Sequence, residues 1–402
     1  MKKDWEERSL GDICEFRNGL WKGKKPPFIK AKVIRMTNFT KDCEMNNKEP
    51  IELEVEKKQF ESRNLTEGDL LIEKSGGGPN QPVGRVVRFK SKDNANYSFS
   101  NFTTRMRIID QSNISSKYLH KFFKLFYLTG KTEKFQKNST NIRNLQLKDF
   151  KEIQIPLPSI QEQKRIVEKL DTLMEQIDKA IQNVEQNIQN AEDLFQSYLN
   201  EIFSQKNDLW INSELGKIYD VRDGTHDSPK YQSEGYPLVT SKNLKNGKIV
   251  LNRIKYISFN DYNNINKRSR VDVGDVLFAM IGTIGNPVVI IEEPNFAIKN
   301  VALFKVSKTQ NSHFLKYFLD LDIVRNKIQV DAKGSTQKFV GLGYLRRFRI
   351  DIPSKEIQDY LVSKINEFKT KNDLVFSNYK LELESLNNLK KSILEKAFNG
   401  EL

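Results

Sequence analysis

The feature that most constrains this chain is that it runs twice. "LGDICEFRNG" (10–19) returns as "LGKIYDVRDG" (215–224), each after a tryptophan, Trp5 and Trp210. "LTEGDLLIEKSGGG" (65–78) returns as "VDVGDVLFAMIGTIG" (271–285), in both cases a Gly-Asp turn, a short apolar strand and a glycine-rich loop. "STNIRNLQLKDFKEIQIPLPS" (139–159) returns as "STQKFVGLGYLRRFRIDIPS" (335–354), ending in a strand closed by proline, and "LFQSYLNEIF" (194–203) returns as "LKKSILEKAF" (389–398). Four blocks in one order, with a period near 200 residues, mean two copies of a whole domain rather than a solenoid.

Each copy reads as a globular part of mixed short strands and helices followed by one long helix. Ser159 caps the first helix, Glu162 completes a capping box, and Pro158 keeps the preceding chain extended. Apolar residues recur at Ile166, Leu170, Leu173, Ile177, Ile181, Val184, Ile188, Ala191, Phe195, Tyr198 and Ile202, a coiled-coil seam with one stutter between Ile177 and Ile181. The second helix starts at Ser354 without the box glutamate. Its seam is Leu361, Ile365, Phe368, Val375, Tyr379, Leu386 and Ile393, interrupted by Asn372, with a left-handed stop at Asn399 and Gly400. A helix of about 45 residues spans roughly 65 Å, too long to bury its stripe in its own domain, and the other copy is the matching partner. The expected architecture is α+β: two similar globular domains, 1–157 and 207–352, separated by two long helices, 158–206 and 353–402, that form an antiparallel coiled coil.

A formal net charge of +14 favours a polyanionic partner, because each Lys or Arg set against a phosphate releases a condensed counterion. Two similar basic domains held at fixed separation suit double-stranded DNA, each domain reading one half-site and the helices setting the gap. The copies have diverged, so the half-sites should differ. Two cysteines and three scattered histidines provide neither a disulfide framework nor a zinc site of standard spacing, so no metal is expected. No run of 18 apolar residues occurs and the start is polar, which predicts a cytoplasmic chain with no membrane partner.

"IPLPSIQEQKRIVEKLDTLMEQID", the closing "SILEKAFNGEL", and the "GD" strand and "ST" segment of each half resemble the specificity subunits of type I restriction-modification systems over essentially the whole chain. That resemblance implies two target recognition domains, an antiparallel helical scaffold, and two modification (methyltransferase) subunits docked on it, with restriction subunits joining through them. It also implies no cofactor in this subunit, S-adenosylmethionine, ATP and Mg being used by the partners. The second copy departs from the pattern, with one proline and fewer glutamines in "DIPSKEIQDYLVSKI".

No catalytic residue is assigned. The only Pro-Pro, Pro26-Pro27, lacks the amide or acid a methyltransferase loop places before it; "GLGYL" reads as a turn; no Walker lysine follows "KSGGGPNQPVG"; and Asp69, Glu73 and Lys74 have the wrong spacing for a nuclease. His226 beside Asp227 lacks a nucleophile and reads as a loop or DNA hydrogen-bonding group. The DNA-contacting residues are expected on loops near glycine turns. In the first domain these are Arg17, Lys22, Lys24 and Lys25, then Lys74 and Ser75, then Asn138, Ser139, Thr140, Asn141 and Arg143. In the second they are Arg222, Thr225, His226 and Lys230, then Lys242, Asn243 and Thr283, then Lys333, Ser335, Thr336, Gln337 and Lys338. Trp21 either stacks on a sugar or base or closes a small core. Two other readings stand beside this one: a self-associating coiled-coil scaffold whose charge is incidental, and a solitary DNA-binding regulator of the same fold.

Overall fold

The structure, a computed structural model, describes residues 5–21, 23, 25–78, 81–139 and 142–402. The candidates Lys22, Lys24, Thr140 and Asn141 lie outside the described residues. The chain divides into two compact units, 1–185 with 381–402, and 186–380.

In the first unit, strand Glu6–Ser9 pairs antiparallel with the proline-closed strand Gln154–Leu157. A four-stranded antiparallel sheet runs Cys14–Asn18, Thr103–Ile108, Leu70–Glu73, Val86–Arg88, and a mixed three-stranded sheet runs Ile51–Glu56, Phe28–Ile34, Tyr97–Phe99. The second unit repeats all three. Ile211–Glu214 pairs with Arg349–Ile352; Asp220–Asp223, Val301–Lys305, Val276–Ala279 and Gly285–Val289 make the four-stranded sheet; and Lys255–Ile257, Tyr236–Thr240 and Ala297–Lys299 make the mixed one. The unbroken apolar runs "LLIE" and "VLFA" have no solvent face because each lies between two cores. Leu70 and Ile72 enter one cluster and Leu71 another; Val276 and Phe278 enter one and Leu277 and Ala279 another.

The Gly-Asp pairs form the same turn in both units. Gly68 and Gly274 take φ of +88° and +92°, and Asp69 and Asp275 accept from the amides of Thr66 and Asp272 at 2.8 and 2.7 Å. A cation from the neighbouring strand holds each aspartate, Arg107 at 2.7 Å in the first unit and Lys305 at 2.5 Å in the second. Glu73, whose spacing already spoke against a nuclease, is buried against Arg85, which donates to both its carboxylate oxygens at 2.7 and 2.8 Å.

The long helices run Ile160–Ser204 and Lys355–Phe398, and Gly400 at φ +76° ends the second in the left-handed conformation. Ser159 caps the first, its Oγ accepting from the Glu162 amide at 3.3 Å, while the Glu162 carboxylate receives Arg165 at 2.7 Å. Antiparallel pairing is seen in each unit. In the first, Ile166 and Leu170 share a core with Leu394, Ala397 and Phe398, and Asp178 meets Lys390 at 2.7 Å. In the second, the Ala191 carbonyl accepts from Asn372 at 3.0 Å and Tyr198 stacks on Phe368 at 4.1 Å between ring centroids.

Ile166, Leu170, Ile177, Val184, Leu361 and Ile365 are buried as the apolar period predicts, and Leu173, Ile181, Ile188, Phe368, Leu386 and Ile393 are half-buried. Val375 is a correction. It is 44 % exposed, because Asn372 occupies the seam and the next inward positions are Phe376 and Tyr379. Asn372 interrupts the apolar period, yet its amide is a seam contact. Where a helix also covers a globular part its buried stripe widens to Val167, Met174 and Leu199.

A device absent from the sequence reading joins each helix start to its own domain. Gln163 and Gln358, five residues after Pro158 and Pro353, are both fully buried. Each Oε1 accepts the N-cap amide of the domain's amphipathic helix, Ser115 or Asn311, at 2.9 Å. Each Nε2 donates to the proline carbonyl, at 2.9 Å from Pro158 and 2.8 Å from Pro353.

Candidate nucleic-acid interface

In the first domain the bonds from Lys74 to Asn18 and from Ser75 to Asn144 bring described members of the clusters side by side, and in the second Lys242 and Gln337 line one cavity, along a wall at the join between the four-stranded and three-stranded sheets. Its foundation is a glycine in each copy: a Cβ on Gly19 would fall 2.0 Å from the Ser100 carbonyl oxygen, and one on Gly224 2.1 Å from that of Ile298. That contact is possible only without a side chain, and it lets the Leu20 and Thr225 amides bond to the Phe99 and Ile298 carbonyls at 2.9 and 3.0 Å. Beside it in each domain lies a short 3₁₀ turn, Met36–Asn38 in the first and Ser241–Asn243 in the second. The two turns are closed alike. Asn38 Oδ1 accepts from the Arg35 amide and Asn243 Oδ1 from the Thr240 amide, both at 3.0 Å, and their Nδ2 groups donate to the carbonyls of Lys48 and Val250.

Asn243 was expected to read DNA; it is buried and its amide is committed to this turn, which leaves the exposed Lys242 as the outward residue. In the first domain the triple glycine is not a turn. Ser75–Gly77 is a strand beside the hairpin Gln136–Ser139 and Ile142–Leu145, which carries Asn138 opposite Arg143. Ser75 Oγ bonds to Asn144 Oδ1 at 2.5 Å, Lys74 Nζ donates to Asn18 Oδ1 at 3.1 Å, and burial holds the Lys74 pKa below its ordinary value. Arg143 reaches Glu133 at 3.5 Å, Arg17 pairs with Glu15 at 3.1 Å, and the Lys25 side chain is exposed.

In the second domain the counterpart of that hairpin is the loop 334–338, closed by reciprocal amide bonds between Lys333 and Phe339 and carrying Ser335, Thr336, Gln337 and Lys338 into solvent. The Lys338 carbonyl accepts from the Gly282 amide at 2.9 Å, which sets the loop over exposed Thr283. Lys230 is exposed, Thr225 Oγ1 caps the Asp227 amide at 3.1 Å, and Arg222 is occupied by Asp220 at 2.5 Å. Lys245, Arg253, Lys255, Lys299 and Asn300 line the same cavity as Lys242 and Gln337. They come from the second 3₁₀ turn's hairpin and from a sheet edge whose proximity local patterning does not encode.

His226 is held in the loop, Nδ1 at 2.8 Å from Asn300 Oδ1 and Nε2 at 2.8 Å from Asp223 Oδ2. Two acceptors require both ring nitrogens to donate, so the bond to Asn300 and then that to Asp223 raise its pKa above the ordinary histidine value. A raised folded-state pKa stabilises the loop fully below the unfolded value and loses that contribution as pH rises through the folded one. The ring should titrate by NMR above free histidine and move back toward it in Asp223→Asn; an unshifted midpoint contradicts the two bonds.

Among the described residues no three His, Cys, Asp or Glu side chains gather to hold a metal ion, and no helix is long and apolar enough to cross a membrane. Burial pushes the Cys14 and Cys43 thiols up to about 12. The wall offers a ligand loop cations, amides and aromatic rings.

The family model for the type I restriction modification DNA specificity domain matches residues 2–187 and 207–385, one match for each repeat. The chain belongs to this family. Among curated relatives of this specificity family, the EcoBI specificity subunit of Escherichia coli is 26% identical over 294 residues, which cover 66% of this chain and 62% of that protein. The MjaVIII specificity subunit of Methanocaldococcus jannaschii is 22% identical over 434 residues, 100% of this chain and 94% of the relative. The chain spans about three-fifths of the length of the two Escherichia coli relatives, 62% and 60%. A chain from a structure of the type I R-M system superposes with a TM-score of 0.77 at 18% identity, covering 100% of this chain and 99% of that one. The HsdS subunit from Thermoanaerobacter tengcongensis gives 0.56 at 17%, covering 100% and 98%. These likenesses establish that the specificity-subunit fold extends over both repeats.

Proposed function

We propose that the protein is the non-catalytic DNA specificity subunit of a type I restriction-modification complex. Each domain reads one half of a bipartite, asymmetric target in double-stranded DNA. The paired helices set the spacer and dock two modification subunits, through which restriction subunits join; S-adenosylmethionine, ATP and Mg serve those partners. One observation carries the reading: both domains build the same glycine-seated wall and the same amide-closed 3₁₀ turn, yet they present different outward side chains, such as Thr37 against Lys242. A shared frame with divergent surface is what recognition of two unlike half-sites requires.

Mapping methylated adenines in cells carrying the complete system should return two short unlike motifs at a fixed gap. Replacing 333–337 should change the second motif only, and deleting one heptad from one long helix should disturb the gap. Equal binding of every duplex by the complex with modification subunits, or both motifs changing together on replacing 333–337, refutes this reading.

A further inference from the structure

The shared wall encloses a cavity in each domain, and the two cavities differ in chemistry. In the second domain Lys242, Lys245, Arg253, Lys255 and Lys299 line a cavity of about 570 Å³, with Gln337 at its edge. Among the described residues none of these five cations has an ion pair, whereas the neighbouring Arg222, Arg268 and Lys305 are each held by an aspartate. Lys299 rests on Ser228 Oγ at 2.5 Å and Lys255 over the Tyr231 ring at 4.0 Å, neutral partners that leave the charge uncompensated. The adjoining cavity, of about 350 Å³, is by contrast lined by Asp223, Asp227 and Asp261 with Arg268 among them. Like charges gathered around one hollow repel each other and are relieved by an anion.

Among the described residues the equivalent cavity of the first domain, about 540 Å³, is lined by Trp21, Phe102, Met36 and Leu53 together with Arg35, Glu54 and Asn101. Trp21 is 63% and Phe102 48% exposed, large for aromatic rings without an apolar cover. Phe102 is there because the turn from Phe99 to Thr103 is one residue longer than its counterpart from Ile298 to Val301. Glu54 opposes a phosphate, and the face made by Trp21, Phe102, Met36 and Leu53 offers no hydrogen bond to a polar base edge. The apolar group that a duplex displays in its major groove is the C5-methyl of thymine.

We propose that the two domains use this shared cavity differently. The second grips backbone phosphates through Lys242, Lys245, Arg253, Lys255 and Lys299, and the first takes the methyl edge of a thymine between Trp21 and Phe102. This rests on the specificity-subunit reading, and its test separates the two. With the full chain bound to its modification subunit and a duplex of the mapped target, Arg253→Gln and Lys255→Gln should each weaken target and non-target DNA alike. Each should lower the slope of log affinity against log salt by about one. Replacing thymine by uracil, which removes only the methyl, should weaken binding about fourfold in the first half-site and not in the second. Trp21→Ala and Phe102→Ala should bind the thymine and uracil duplexes equally. An unchanged salt slope in the glutamine variants, equal affinity of the wild-type complex for thymine and uracil, or a first half-site without thymine overturns the proposal while leaving the specificity-subunit reading intact. Loss of all sequence preference in the wild-type complex would instead overturn the latter.

Discussion

Replacing Arg85 with methionine is expected to destabilise the first unit by about 3–5 kcal/mol in urea unfolding. Glu73 is 1% exposed and receives both donors of the Arg85 fork, at 2.7 and 2.8 Å. The same guanidinium donates to the carbonyls of Phe39 and Thr40 at 3.3 Å, so its loss strips a buried carboxylate of its counter-charge and two carbonyls of a donor. The double replacement Arg85→Met with Glu73→Met should recover most of the loss, because the cost comes from the stranded charge rather than from the missing pair. A single variant as stable as the parent would show that Glu73 finds water or another cation.

The second large effect is expected at the paired glutamines. Gln163→Leu should cost about 3 kcal/mol, and Gln358→Leu a similar amount in the second unit, because each strips an N-cap amide and a buried proline carbonyl of their partner, along with one further acceptor. Gln163 donates to the Asn113 and Pro158 carbonyls at 2.9 Å and accepts from the Ser115 amide; Gln358 donates to Gln310 and the Pro353 carbonyl at 2.8 Å and accepts from the Asn311 amide. Amide hydrogen exchange gives the local check. Ser115 should lose protection in the first variant alone and Asn311 in the second alone. Equal loss at both sites in either variant would mean that the bonds do not act domain by domain. Since each glutamine ties the start of a long helix to the amphipathic helix of its own recognition domain, these variants should also loosen whatever register the helices impose on that domain.

Much of the architecture was legible because it rests on local chemistry. The Ser159 cap, the Gly-Asp turns and the Gly400 stop depend on backbone conformations and side-chain reach within three or four residues. The seam was legible where apolar residues alone fill it and misread where Asn372 does, since a hydropathy period cannot register an amide bonded to the opposite helix. Gln163 and Gln358 carried a weak signal, the same offset of five from a proline in both copies, which comparison of the repeats could have exposed. Of the interface candidates, Asn243 is committed to its own turn, and Arg17, Arg143 and Arg222 each pair with an acidic neighbour in the domain. Arg253 and Phe102 were overlooked because neither lies in a repeated motif.

By itself the sequence determined the duplication, the α+β class, the two long helices and their family, because these follow from repeated blocks and from periodicity along a single chain. Only the tertiary structure decided which charges remain available to a ligand. Arg222 and Arg253 are both basic residues of one domain, yet the first faces an aspartate two residues away and the second faces an open cavity beside four lysines. Whether a cation is neutralised depends on what the fold brings within about 4 Å of it, and that distance is set by strands and turns far apart in the chain.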